Sequence, residues 1–419
     1  MLSLTLAHSI PVSLIEGNVE KSAKVLKEEG FYPKEYAALQ AGQSFDNYTT
    51  YYMLNSALVS NTNPLIDALT SPLIAERSTD AADFDRALTG AIENIDSVSY
   101  YFRYWHGYLT WLTPLLIFFD VRTIRLICQA SFFLLLFVVI GKLTLEYGKK
   151  GLLLGIILGA SYVFLGAAQA AQDLPVFSSF ALSMVGCLLA LWLGKGPKGK
   201  QKHFFTESFR VFLCFAFLGV LTAFFDFLDT PILTLCAPLT VYLFCQVQVQ
   251  SNLSVVRMVV FAVVGWFLAY GCFWASKWVL ASLVLGPEVW ENVLHQAEYR
   301  GGFTNQVEYG PLKAVVVNLS CLGYLRYVQA IIGMSALLVA IVCAVRYRTV
   351  SDVAYRKFLA CLSVLFIVGC LPYGWYMALS NHSIIHAPLM VFWSQIGALF
   401  PWSVSLALAS SFVLRKKKK

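Results

Sequence analysis

Long apolar runs separated by short polar connections make up most of the chain after residue 125. A helix needs about 20 mostly apolar residues to cross a bilayer, and nine runs approach that length. These runs predict an all-α fold, a polytopic transmembrane helical protein. The predicted spans are 126–142, 151–170, 175–194, 208–225, 230–246, 257–276, 326–345, 358–378 and 389–413.

The polar segments divide the predicted membrane part from two external parts. Residues 107–121 are apolar but short, interrupted by Pro114 and closed by Asp120, which is typical of an interfacial helix. Val19–Glu29 has the period of an amphipathic surface helix. The expected organisation is an external N-terminal domain at 1–125, a six-span module at 126–286, an external loop at 287–325, and three spans with a basic tail at 326–419.

Positive charge gives this arrangement an orientation. The connections that carry Lys149 and Lys150, Lys195–Lys202 and Arg346–Lys357 are basic, whereas the short connections around Asp173, around Asp226 and Asp229, and at 379–388 have no Lys or Arg. The positive-inside rule then predicts that the basic connections and the C-terminus are cytoplasmic. An external N-terminal domain must be exported, and Met1–Ala7 is too short for a signal peptide. We therefore expect a further apolar helix upstream, of which these residues would be the tail.

Composition agrees with lipid as the solvent. The chain has 419 residues, of which 58% are hydrophobic and 13% charged, against roughly 25% charged in soluble domains. The net charge of +7 includes five consecutive basic residues, Arg415–Lys419. Such a tail suits anionic lipid headgroups, and no nucleic-acid partner is expected.

The densest candidate site is the motif Arg-Tyr-Trp-His-Gly-Tyr at 103–108. An arginine beside a histidine can bind a phosphate and transfer a proton, which are the roles expected of Arg103 and His106. Tyr104 and Trp105 would line the same site. Alternatively, the motif is an aromatic belt at the membrane surface with an arginine that reaches water.

Two histidines form the second candidate, in Asn-His-Ser-Ile-Ile-His at 381–386. His382 and His386 are four residues apart and would share one face of a helix. They could hydrogen-bond a pyrophosphate, or be helix-end histidines at the interface. No glutamate stands between them as in zinc proteases, so a divalent metal is compatible with the motif but not required by it.

Charged residues next to or within apolar runs form the third group. Lys277 lies inside the apolar stretch Met258–Leu285, where a charge is costly and marks function or an ion pair. Asp226 lies at the same predicted depth and is the expected partner. The alternative is that Lys277 reaches the outer interface. Asp229 is expected to cap the next helix.

The N-terminal domain supplies acids for a general base. Asp46 and Glu20, with Glu16, are carboxylates expected near the membrane surface. A carboxylate in that position can remove a proton from a hydroxyl group. Solvated surface charge is the alternative interpretation of each acid alone.

The order of spans and loops resembles the GT-C class of membrane glycosyltransferases. In that class a first helix leads to a large external loop, six spans and a second external loop, as 1–125, 126–276 and 287–325 do here if a first helix is present. The motifs at 103–108 and 381–386 also resemble those of uncharacterised polytopic membrane proteins of Gram-positive bacteria, which implies a bacterial cell membrane.

The resemblance implies sugar transfer from a polyprenyl-phosphate donor to an extracytoplasmic glycan or lipid acceptor. Asp46 or Glu20 would be the base, with His106 assisting in catalysis. The substrate would be bound by Arg103, Tyr104, Trp105, Asp226, Lys277, His382 and His386. The alternatives are a transporter or flippase of a lipid-linked sugar, with Asp226 and Lys277 as a coupling pair, and a non-catalytic cell-envelope assembly protein.

Overall fold

A computed structural model describes residues 1–33, 45–59, 63–74, 98–195, 204–248, 255–303 and 310–416. Over these ranges the chain is almost entirely helical, and the predicted all-α polytopic membrane fold is confirmed. The N-terminal part contains the helices α1 Leu2–His8, α2 Glu16–Glu29, α3 Asn47–Leu58, α4 Pro64–Thr70 and α5 Leu109–Leu116, and the strands β1 Pro72–Ile74 and β2 Val98–Tyr100.

The rest of the described chain is a helical bundle. Its helices are α6 Val121–Tyr147, α7 Lys149–Phe164, α8 Ala167–Ala170, α9 Leu174–Lys195, α10 Phe204–Phe225, α11 Leu233–Gln248, α12 Val255–Leu285, α13 Glu288–Gly301, α14 Pro311–Ser320, α15 Leu325–Thr349, α16 Val353–Ala378, α17 Ser380–Ile385 and α18 Ile396–Lys416.

Within the described residues, seven helices are long and apolar enough to cross a membrane: α6, α9, α10, α12, α15, α16 and α18. The second and fifth predicted spans coincide with α7 and α11, which are helices of 16 residues each. The protein is therefore a multi-pass membrane protein, and the count of nine spans stays a prediction.

Small residues allow the spans to pack closely. Gly219 of α10 lies against the backbone of Trp266 in α12, and Gly265 of α12 lies against the backbone of Phe212 in α10. A Cβ added at either glycine would overlap a carbonyl oxygen of the other helix. This reciprocal contact is the close backbone approach that small residues permit between membrane helices. It fixes α10 and α12 together beneath the N-terminal helices.

The N-terminal helices cover one end of the bundle, which we call the cap end. The two strands pair antiparallel with Pro72 opposite Tyr100, and the N–H of Tyr101 donates to the Ser71 carbonyl at 2.8 Å. The helix α6 begins at Val121, five residues before the predicted span, because the Asp120 side chain caps it by accepting the N–H of Thr123 at 3.0 Å. The opposite end, with the end of α9, the start of α10 and the connections at 148 and 350–352, is the basic end.

Candidate functional site

A polar cavity of about 910 Å³ opens at the cap end of the bundle. It lies between the N-terminal helices, the segment before α5, the α10–α11 turn, α13 and α17. Three residues predicted to act in a site line it together, namely Asp46, Arg103 and His386. The remaining polar and aromatic lining includes Tyr32, Tyr48, Thr49, Tyr52, Tyr101, Tyr108, Phe227 and Asn292.

Asp46 lies where α3 begins. Its Oδ1 accepts the N–H of Thr49 at 2.7 Å, and its Oδ2 accepts the Thr49 hydroxyl at 2.7 Å. The side chain therefore caps the helix, and only 1% of the residue is exposed. Burial raises the pKa of Asp46 to about 6, although the bonds from Thr49 act in the opposite direction. At neutral pH the group is ionised and still basic enough to take a proton.

Two more aspartates, Asp173 and Asp229, are buried near Asp46. The Asp46 N–H donates to Oδ1 of Asp173 at 3.2 Å, whereas Oδ2 of Asp173 and Oδ2 of Asp229 are buried without a hydrogen bond. Burial, with the charges of the neighbouring aspartates, holds the pKa of Asp173 and Asp229 well above the usual range. Burial therefore disfavours the charged form of both carboxyl groups. In the described part of the chain, no three His, Cys, Asp or Glu residues are arranged to hold a metal ion.

Asp226, rather than Asp229, organises the turn between α10 and α11. Its carboxylate accepts the Ser179 hydroxyl at 2.8 Å and the N–H of Leu228 at 2.6 Å. The prediction that Asp229 caps the next helix is wrong, because that helix begins only at Leu233. Burial raises the pKa of Asp226 to about 6, and the hydrogen bonds to its carboxylate oppose that shift.

Arg103 is held by its neighbours while its guanidinium points to the site. The Arg103 carbonyl oxygen accepts the indole N–H of Trp274 at 2.6 Å and that of Trp278 at 3.1 Å. Its Nη1 donates to Oδ1 of Asn292 at 3.2 Å, and Cζ lies 4.6 Å from the ring centroid of Tyr101. Nε is buried and has no hydrogen-bond partner.

His106 braces the backbone beneath the cavity. Its Nε2 lies 2.7 Å from the Tyr101 carbonyl oxygen, and its Nδ1 lies 3.1 Å from the Tyr108 hydroxyl. A carbonyl only accepts, so Nε2 carries the proton and Nδ1 accepts from the hydroxyl. Burial and the charge of Lys277 lower the pKa of His106 to about 3. The expected proton transfer by His106 is not supported, since the ring is neutral and both nitrogens are engaged.

The other residues of the motif are packing residues. Tyr104 and Trp105 are buried, with Tyr104 stacked on Trp274 and Trp105 stacked on Phe273. The N–H of Gly107 donates to the Phe224 carbonyl at 2.8 Å, and an added Cβ would overlap that oxygen. Thus Gly107 permits close approach to α10.

The two histidines of α17 have different surroundings. Nδ1 of His382 lies 2.7 Å from Nη1 of Arg300, and Nε2 lies 3.1 Å from the Leu228 carbonyl oxygen. A guanidinium only donates, so Nδ1 accepts and Nε2 carries the proton. His386 lines the cavity with a buried Nδ1 that has no partner. Burial and the charge of Arg300 lower the pKa of His386 to about 4, which leaves it neutral.

The predicted pair of Lys277 and Asp226 is not formed. Lys277 is completely buried, and its ammonium donates to the Ala68 carbonyl at 2.8 Å and the Ser71 hydroxyl at 3.0 Å. It therefore joins α12 to the end of α4. Glu20 is exposed on α2 and does not line the cavity, so Asp46 is the stronger candidate of the two proposed bases.

Sequence reasoning missed Arg300, which bonds His382 and lies with its Cζ 5.7 Å from the Tyr104 ring centroid. A signal existed, because Asn292, Gln296 and Arg300 recur every four residues and so share one face of α13. Asp173 was also missed, as a single acid in a short turn.

Fold and site together define a polytopic membrane protein with a polar, aromatic cavity at one end of its bundle. Comparison with protein-family models, with curated proteins and with solved structures finds no match for this chain.

Proposed function

We propose that the protein is a GT-C-like glycosyltransferase. It would transfer a sugar from a polyprenyl-phosphate donor to an extracytoplasmic glycan or lipid acceptor. The observation that carries the proposal is that Asp46, Arg103 and His386 line one cavity. That cavity lies at the cap end, opposite the basic connections, and the positive-inside rule assigns the cap end to the outside of the cell.

The groups in the cavity match the needs of such a transfer. The Asp46 carboxylate takes the proton of the acceptor hydroxyl while the hydroxyl oxygen attacks the anomeric carbon of the donor. The bond from that carbon to the phosphate oxygen breaks, and the phosphate leaves with the electron pair. Arg103 stabilises the charge that develops on it. One direct displacement of this kind inverts the anomeric configuration.

The aromatic lining suits a sugar. Tyr48, Tyr52 and Tyr101 offer flat apolar faces, with a hydroxyl group on each ring. His386 adds a neutral imidazole with a buried, unpartnered Nδ1. These groups can pack against the apolar faces of a pyranose and hydrogen-bond its hydroxyl groups.

The transporter alternative is weakened by the positions of the charges. A coupling pair of Asp226 and Lys277 was its main support, and each of these residues is bonded elsewhere. The assembly-protein alternative does not require a buried carboxylate and an arginine that line one cavity.

The test uses the full-length protein in lipid nanodiscs with a radiolabelled polyprenyl-phosphate sugar and a membrane extract as acceptor source. We expect the wild type to consume the donor and Asp46→Asn to be slower by about 100-fold or more, the usual contribution of a general base. Asparagine caps helices as well as aspartate does, so the fold should persist.

Asp120→Asn is the matched control, because Asp120 caps α6 outside the cavity. It should retain full activity. An equally active Asp46→Asn variant would overturn the assignment of the base. A wild type that moves the labelled lipid across a vesicle membrane without consuming it would establish the transporter instead.

A further inference from the structure

We propose that Arg103 and Arg300 form a binding site for the phosphate group of a membrane lipid. A second cavity of about 80 Å³ adjoins the larger one and shares Arg103 as a wall. Arg300, Gln296, Trp274 and Trp278 also line it. This volume is large enough for a small anion and far smaller than the neighbouring cavity.

The positive charges around this small cavity favour the binding of an anion. In the described part of the chain, neither arginine forms an ion pair with a carboxylate. Arg103 donates to the neutral Asn292 and Arg300 to the neutral His382. Two guanidinium groups that face one small space repel each other, and a bound anion relieves the repulsion through charge-assisted hydrogen bonds.

Asp229 is the aspartate that interacts electrostatically with Arg300. Burial and the neighbouring aspartates hold the pKa of Asp229 well above its usual range. The charged form of Asp229 is therefore disfavoured, and in the described part of the chain Asp229 forms no ion pair with Arg300. Nε of Arg103 is buried without a partner, and it is a donor that an anion can use.

Arg300 is positioned before any ligand arrives. The proton of His382 is committed to the Leu228 carbonyl, so its Nδ1 can only accept from Arg300. The guanidinium also lies over the Tyr104 ring. His382 is thus a positioning residue for Arg300, and a guanidinium fixed in this way loses little side-chain freedom on binding phosphate.

The surroundings indicate a phosphate carried by a lipid. Trp274 and Trp278 belong to the membrane-spanning helix α12, near its cap end. Tryptophan at this level marks the headgroup region of a bilayer. The identification of this lipid as the polyprenyl-phosphate donor rests on the proposed function. The donor's phosphate would occupy the small cavity, its sugar the large one, and Arg103 would lie between them.

The test measures binding, so it does not require transfer. Full-length protein in detergent is titrated with undecaprenyl phosphate, undecaprenol or inorganic phosphate, and bound lipid is counted by native mass spectrometry. We expect wild type to prefer undecaprenyl phosphate to undecaprenol. Arg103→Gln and Arg300→Gln should each weaken binding by about tenfold or more, the scale of one lost charged hydrogen bond. Arg300→Lys should lie in between.

Arg326→Gln is the matched control, because Arg326 is exposed and its guanidinium lies over the Tyr327 ring, much as that of Arg103 lies over Tyr101. It should bind like wild type. Unchanged binding in both the Arg103 and Arg300 variants, or equal binding of undecaprenol, would overturn the site. Displacement by inorganic phosphate at equal concentration would overturn the lipid assignment.

Asp46→Asn separates this inference from the proposed function. It should bind undecaprenyl phosphate normally, since Asp46 does not line the small cavity. If the lipid binds as expected and the wild type transfers no sugar, the phosphate site stands and the transferase proposal fails.

Discussion

The ammonium of Lys277 donates to the carbonyl oxygen of Ala68, 209 residues earlier in the chain, at 2.8 Å. Ala68 lies in the last turn of α4, where carbonyl groups have no partner within the helix and attract a cation. A charge within a membrane-spanning helix is thus used to hold an N-terminal helix on the bundle.

This contact predicts that Lys277→Met loosens α4. The Ala68 carbonyl and Ser71 hydroxyl lose their donor, and we expect amide exchange in residues 64–74 to accelerate by about tenfold or more. Hydrogen–deuterium exchange of the purified protein measures this. Lys142→Met, at an exposed position on α6, should leave exchange of α4 unchanged. Equal exchange in Lys277→Met and wild type would show that α4 is held by other contacts.

Gly107 predicts a steric effect. Gly107→Ala places a methyl group against the Phe224 carbonyl oxygen, which belongs to backbone and cannot rotate away. We expect a loss of about 1–3 kcal/mol in the free energy of unfolding, the usual cost of overpacking, seen as a lower melting temperature in detergent. At Gly271 an added Cβ has nothing within 4 Å, so Gly271→Ala should not lower it. Equal melting temperatures for both variants would contradict the overlap.

Burial of Asp46 predicts a pH effect on stability. Its pKa is raised from 3.8 to about 6 by burial, so the folded state binds more protons than the unfolded state between these values. Stability contributed by Asp46 therefore falls as pH rises through this window and stays lower above it. The loss is about 3 kcal/mol for a shift of this size.

Asp46→Asn should remove that pH dependence and melt at a higher temperature than wild type at about pH 8. Asp173, Asp229 and Tyr32 also face Asp46, so the measurement is the difference between the two proteins across pH. If the melting temperatures of the two proteins change by the same amount from about pH 4 to 8, the raised pKa of Asp46 is refuted.

Orientation can be tested with single cysteines. Glu20 is exposed at the cap end and Lys149 is exposed at the basic end. We expect Glu20→Cys to react with a membrane-impermeant maleimide in intact cells, and Lys149→Cys to react only after the membrane is opened. The wild type is the control for its own ten cysteines. The opposite labelling pattern would place the cavity on the cytoplasmic side of the membrane. That result would contradict the proposed sugar transfer at the outer face.

Apolar runs located the helices well and their ends less well. The span predicted to end at residue 276 continues to Leu285. Lys277 does not interrupt the helix, because its ammonium donates to the Ala68 carbonyl. The amphipathic helix predicted at Val19–Glu29 lies within α2. The hydrophobic periodicity of a segment predicts such helices from local sequence alone. The environment of a buried charge depends instead on a contact with a residue far along the chain.

The sequence indicated how deep in the membrane the candidate site residues lie. It did not indicate which side of the helical bundle each of them faces. Asp46, Arg103 and His386 were all expected at the membrane surface, and they line one cavity. Lys277 and Asp226 were expected at a common depth too, yet each is bonded to other groups. Arg300 looked like an ordinary helix charge, since its contact with His382 is purely tertiary.

The hydrogen bond from Arg300 to His382 also limits when the site can exist during synthesis. Spans enter the membrane in the order of translation, so Asp46 and Arg103 are outside the ribosome long before α13 and α17. When α12 has just been completed, Asn292, Arg300 and His386 have not yet been synthesised, so Arg103 lacks both its asparagine and the second arginine. The wall that Ile385 and His386 contribute can be added only after α16 has been synthesised. Chain synthesis itself thus delays a competent site until almost the whole protein is in the membrane.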